Sequence, residues 1–108
     1  MIGTGDDPRL IELVRRLNEA YRPERVYLFG SQARGDADSD SDYDLLLIVS
    51  DEASPERRRS RLAYELSCGV GIAADILVVT RSHFESRLHL PASLPATVVR
   101  EGRLLHAA

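Results

Sequence analysis

Apolar residues recur at helical spacing near the start of the chain, at Leu10, Leu13, Val14, Leu17 and Tyr21. Asp7 and Pro8 precede them as an N-cap and a first-position proline, which satisfies orphan N–H groups and pre-sets the helical φ. Pro23 closes this helix. The next apolar block, RVYLF from Arg25 to Phe29, is rich in strand formers and predicts a first strand that Gly30 breaks. Residues 31–41, SQARGDADSDS, are small, polar and acidic. They cannot feed a core, so they form a loop or a short helix followed by a loop. A second strand is predicted from Asp42 to Val49. Its second half, LLLIV, is apolar at successive positions, as a strand covered on both faces requires.

Ser54-Pro55 starts another helix, with Leu62, Ala63 and Leu66 as its apolar stripe and Arg57, Arg58, Arg59 and Arg61 in solvent. Gly69 and Gly71 stop it. ADILVV, from Ala74 to Val79, reads as a third buried strand. A short helix follows Ser82, a loop or helix entry spans Pro91 to Pro95, and a helix covers Ala96 to Glu101 with Gly102 as its cap. Arg103 to His106 forms a short final strand. Helices alternating with apolar strands predict an α/β layer in which helices pack on a sheet. No repeat or linker divides the chain, and 108 residues suit one domain with one core.

Composition narrows the partners. The net charge of −3 argues against direct nucleic-acid binding, which draws on a basic balance. All fourteen cationic side chains are Arg, so phosphate contacts fall to Arg, hydroxyl or backbone N–H groups. Cys68 is the only cysteine, which excludes an internal disulfide and suits a reducing cytoplasm; its setting among Leu66, Gly69 and Val70 leads us to expect a buried structural thiol. No basic-then-apolar leader opens the sequence, and the Leu45–Val49 run is too short to span a membrane.

The chemistry concentrates between Gly30 and Leu47. Side chains on a strand alternate faces, so Asp42 and Asp44 point the same way at the start of a buried strand. Two such carboxylates repel, and a hard divalent cation offsets the repulsion. Mg²⁺ in particular takes one or two carboxylates and completes its shell with substrate phosphates. Gly30 allows close backbone approach, Ser31 offers a hydroxyl and an N–H at a helix start, and Arg34 can fork onto a phosphate. Asp36, Asp38 and Asp40 read as solvated loop acids. A calcium loop starting at Asp40 fails, because Leu45 takes the place that needs glycine. His83, His89 and His106 have no ligand spacing, and no base accompanies Ser31 as a hydrolase nucleophile. The arginines at 57–61 form a solvated face or a surface for an acidic partner.

Gly30-Ser31, ten intervening residues, then Asp42-Tyr43-Asp44 resembles the signature of the DNA polymerase beta-like nucleotidyltransferases. The longer string GSQARGDADSDSDYDLLLIV is similar to the minimal nucleotidyltransferase (MNT) domains of bacteria. The later segments ADILVV and REGRLL, ending at Leu105, resemble the same domains, so the likeness covers nearly the whole chain. It implies an α+β fold, a small mixed β-sheet flanked by helices. It also implies that Gly30 and Ser31 bind the triphosphate of ATP, that Asp42 and Asp44 hold Mg²⁺ or Mn²⁺, and that Asp75 completes the metal site and helps activate the attacking hydroxyl. Arg34 matches a commonly basic position, whereas Gln32 stands where many relatives carry Arg. The family's minimal members are antitoxins that silence a HEPN-domain toxin by transferring AMP to it. A non-catalytic antitoxin acting by contact, and an enzyme acting on a small molecule such as an aminoglycoside, remain the alternatives. For Asp75, the structural alternative is an ion pair with an Arg at the sheet edge.

Overall fold

The computed structural model describes residues 1–35 and 42–108. The acidic loop expected around Asp36, Asp38 and Asp40 therefore lies outside the described residues. The elements run α1 (Pro8–Tyr21), β1 (Arg25–Phe29), α2 (Ser31–Arg34), β2 (Tyr43–Val49), a 3-10 turn (Pro55–Arg58), α3 (Arg61–Val70), β3 (Ala74–Thr80), α4 (Arg81–Ser86), α5 (Leu94–Glu101) and β4 (Arg103–Ala107). Asp7 caps α1 through its side chain, which accepts from the Arg9 N–H, and Pro8 opens the helix.

The strands form one sheet in the order β3-β2-β1-β4. β1 pairs antiparallel with β2 and β4, while β2 and β3 run parallel. This is the mixed sheet of an α+β fold. Antiparallel β1 and β2 need only the short α2 connection, whereas parallel β2 and β3 need a crossover, which α3 supplies.

The LLLIV run is buried throughout and divides between two cores. Leu45, Leu47 and Val49 join Val26, Leu28 and the apolar stripe of α1 on one face. Leu46 and Ile48 join Tyr27, Phe84 of α4 and Val98 of α5 on the other. The Tyr27 and Phe84 rings stack with centroids 6.1 Å apart, an arrangement that adds to simple area burial.

Four expectations need correction. β3 is an edge strand and is not buried on both faces: Asp75 and Leu77 are exposed, Leu77 at 45%. An apolar run specifies a strand, but its place in the sheet depends on which strands pair, and that is a long-range property. The Ser54-Pro55 start gives only the 3-10 turn; α3 begins at Arg61 and buries Ala63 and Ser67, leaving Leu62 exposed and Leu66 at the margin of the core. Gly69 lies inside this helix, and Gly71 alone caps it in the left-handed conformation. Cys68 is exposed on the outer face of α3 rather than buried.

The junction before α3 is held by Tyr21. Its hydroxyl donates to the Arg59 carbonyl (2.5 Å) and accepts from the Ala63 N–H (2.9 Å), which satisfies a buried phenol and fixes the helix start against α1. The REGRLL segment also has a structural role. Gly102 passes so close to the Val98 and Leu28 carbonyls that a β-carbon would overlap both. Arg103 forks onto Asp6 at 2.6 and 2.8 Å and holds the Asp6 carboxyl down at about 2. Among the described residues, no helix is long and apolar enough to cross a membrane.

Candidate active site

Strand register brings the expected residues to one end of the sheet. Asp44 is the second residue of β2; it pairs with Phe29 of β1 on one side and with Asp75 of β3 on the other. Alternation fixes the face. Tyr43, Leu45 and Leu47 pack towards α1, so Asp44 shares the opposite face with Leu46 and Ile48. On β3, Ala74, Ile76 and Val78 pack towards α1, so Asp75 shares the face of Asp44. α4 and α5 cover the far end of this face through Phe84 and Val98, and the acidic end projects beyond them. Asp42 lies one residue ahead of β2 and is exposed.

Tyr43 pins the register between the two acids. It packs against the α1-side core, and its hydroxyl reaches the Asp7 carboxylate at 3.5 Å. Burial, followed by the charge of Asp7, pushes its phenol above the usual range. A slip by one residue would turn Tyr43 outward and Asp44 into the core.

Asp44 carries a clear electrostatic signal. Its carboxyl is pushed above the usual carboxylate range, first by desolvation, then by the like charges of Asp75 and Asp42; Arg34 opposes this. Four of the residues singled out in the sequence thus share one local field. Gly30 is the fifth. At φ 73° and ψ −157° it occupies a region essentially reserved for glycine, and a β-carbon there would overlap Asp44 Oδ2 and stand 3.2 Å from its carboxyl carbon. The Asp44 carboxylate therefore packs directly against the Gly30 backbone, in space that any side chain at position 30 would take. Ser31, the sixth, begins the single turn of α2 beside it.

Among the described residues, no three carboxylate, imidazole or thiol groups close up tightly enough to enclose an ion by themselves. The donors present still fit Mg²⁺ or Mn²⁺. They are hard oxygens, Asp44 carries a repulsion that a cation would relieve, and the glycine at position 30 lets the backbone lie close beside the Asp44 carboxylate. Asp42, Asp44 and Asp75 are the residues that could hold it. The expected structural alternative for Asp75 has no counterpart, because no arginine pairs with it among the described residues. Sequence reading missed Ser60 and Tyr64, which line a cleft beside Asp75; nothing in their local pattern marks them.

The nucleotidyltransferase domain family model matches residues 9–105. No curated protein sequence matches the chain significantly. Among solved structures, a toxin–antitoxin complex with AMP-PNP superposes with a TM-score of 0.59 and 24% identity, over 89% of this chain and 72% of that one. A candidate nucleotidyltransferase from Sulfolobus solfataricus superposes with a TM-score of 0.56 and 23% identity, over 97% and 93%. A tri-AMPylated HEPN toxin in complex with MNT antitoxin, from Shewanella oneidensis, gives 0.50 and 20%, over 93% and 68%. At these identities the likeness is one of fold.

Proposed function

The chain belongs to the nucleotidyltransferase domain family, and from that premise we propose that it transfers AMP from ATP to a hydroxyl of a HEPN-domain toxin, as the antitoxin of the pair. The observation that carries this reading is the in-register Asp44–Asp75 pair with Gly30 pressed against Asp44. It supplies two carboxylates on one face, with a glycine turn and the start of α2 beside them. The toxin–antitoxin neighbours with AMP-PNP and with an AMPylated HEPN toxin support the choice of nucleotide and partner.

Gly30 and Ser31 receive the triphosphate, with Arg34 contributing positive charge nearby. Asp42, Asp44 and Asp75 would hold Mg²⁺ or Mn²⁺, and a bound metal would supply charge neutralisation to the phosphates during transfer. The acceptor oxygen forms a bond to the α-phosphorus as the bond from that phosphorus to the bridging oxygen breaks. Pyrophosphate leaves with the electron pair, and the acceptor proton passes to the Asp75 carboxylate and then to water.

Incubation of the HEPN-domain partner with this protein, ATP and Mg²⁺ is expected to raise the partner's mass by whole AMP units. A partner that is silenced at unchanged mass, and equally well by the Asp42→Asn variant, would replace this reading with inhibition by contact. Transfer to an aminoglycoside in place of the protein would select the small-molecule alternative.

Asp75 stands at the exposed edge, away from Gly30, so its loss bears on the acceptor more than on the nucleotide. Asp75→Asn should retain most ATP–Mg²⁺ binding and lower single-turnover transfer by about a hundredfold, the scale of a lost positioned base. Near-normal transfer by this variant would remove Asp75 from the site.

A further inference from the structure

We infer that the cleft between the start of α3 and the free edge of β3 is the acceptor pocket, and that Ser60 and Tyr64 are the residues that position the acceptor hydroxyl. This rests on the transferase reading above.

The cleft measures about 150 Å³ and is lined by Ser60, Tyr64, Ala74, Asp75 and Ile76. Ala74 and Ile76 point to one face of the sheet and Asp75 to the other. A space that touches all three lies along the outer edge of the strand. β3 has a neighbour only on its inner side, and the Ala73 carbonyl there accepts from the Tyr43 N–H. Peptide groups alternate direction along a strand, so the N–H and C=O of Ala74 and Ile76 point outward into this cleft. It therefore runs beside the reacting end of the sheet, along unpaired backbone.

Three residues with polar side chains, Ser60, Tyr64 and Asp75, border it. Ser60 stands at the N-cap of α3, yet its side chain makes no capping bond. The Tyr64 hydroxyl and the Asp75 carboxylate are likewise uncommitted among the described residues. Tyr64 is 66% exposed, so its ring and hydroxyl are open to a partner. The wall that carries them is firmly held, because Tyr21 ties Arg59 and Ala63 to α1 on either side of Ser60. The Ser60 and Tyr64 hydroxyls and the outward-facing peptide groups of β3 give the cleft a polar lining that can hold a hydroxyl by hydrogen bonds. A space of this volume can take a single hydroxyl-bearing side chain of a protein.

The test uses the full chain and the HEPN-domain partner protein. Tyr64→Phe and Ser60→Ala should each raise the KM for the partner by about tenfold, the scale of one lost hydrogen bond at a polar site, while leaving kcat and Mg²⁺–ATP affinity near the wild-type values. Tyr64→Trp, which crowds the cleft, should abolish transfer without affecting the melting temperature or ATP affinity. Partner added without ATP or metal should also slow nitration of Tyr64, the most exposed of the four tyrosines. Wild-type transfer together with unchanged KM in both conservative variants and unprotected Tyr64 would overturn the pocket and leave the transferase intact. Absence of any wild-type transfer, to protein or small molecule, would overturn the transferase reading and the pocket with it.

Discussion

Asp44→Asn is expected to lower AMP transfer by about a thousandfold or more while leaving the metal-free protein as stable as the wild type or slightly more so. Both halves come from the same local field. Desolvation and the charges of Asp75 and Asp42 hold the Asp44 carboxyl above its ordinary range in the folded chain. A raised folded value means that the folded state binds the proton more tightly than the unfolded chain does. The stability Asp44 permits is fully present below the ordinary carboxylate range and is lost as pH rises through the raised value. At neutral pH the metal-free protein carries that penalty, and the neutral amide removes it. Asp44 is only partly buried, so solvent screening keeps the gain small, with a melting temperature higher by up to about 4 °C. Added Mg²⁺ and ATP should reverse the order, since bound ligand stabilises the chain that can hold it. Thermal melts with and without Mg²⁺–ATP, alongside the transfer rate, check all of this. A clear loss of stability in metal-free Asp44→Asn would make Asp44 a structural residue.

Gly30→Ala should act through geometry alone. The position has φ 73° and ψ −157°, where any β-carbon costs about 1–3 kcal/mol. The new methyl also overlaps Asp44 Oδ2, so either the α2 turn or the carboxylate must move. The expected result is a fall in melting temperature of about 5–15 °C and loss of measurable transfer. A double-mutant cycle separates the two causes. In an Asp44→Ala background the overlap is gone and only backbone strain remains, so the stability cost of Gly30→Ala should shrink. Equal costs in both backgrounds would contradict the close packing of Gly30 on Asp44.

Much of this was legible in the residues themselves. Asp7-Pro8 marked the start of α1, and the LLLIV run marked a strand covered on both faces, because capping and burial are written locally. Strand alternation led to Asp42 and Asp44 as a pair, although Asp42 stands one residue ahead of β2, and the resemblance that begins at Gly30-Ser31 pointed to Asp75. Relations between distant segments were not legible. That β3 lies at the edge, with Asp75 and Leu77 exposed, depends on β2 pairing with β1 on its other side. The burial of Ser67 in place of Leu62 depends on how α3 is rotated against α1, which the Tyr21 hydrogen bonds set across about forty residues. Ser60 and Tyr64 reach the site only through that same docking, and no spacing rule links them to Asp75.

The central claim is a site in which carboxylates and the Gly30 turn take up a nucleotide together with its metal. Calorimetric titration of ATP into the protein, in Mg²⁺ and again in excess chelator, tests it most directly. Saturable binding is expected in Mg²⁺, weakening by about tenfold or more, over about 1.4 kcal/mol, once the metal is withdrawn. Equal ATP affinity under both conditions would contradict it.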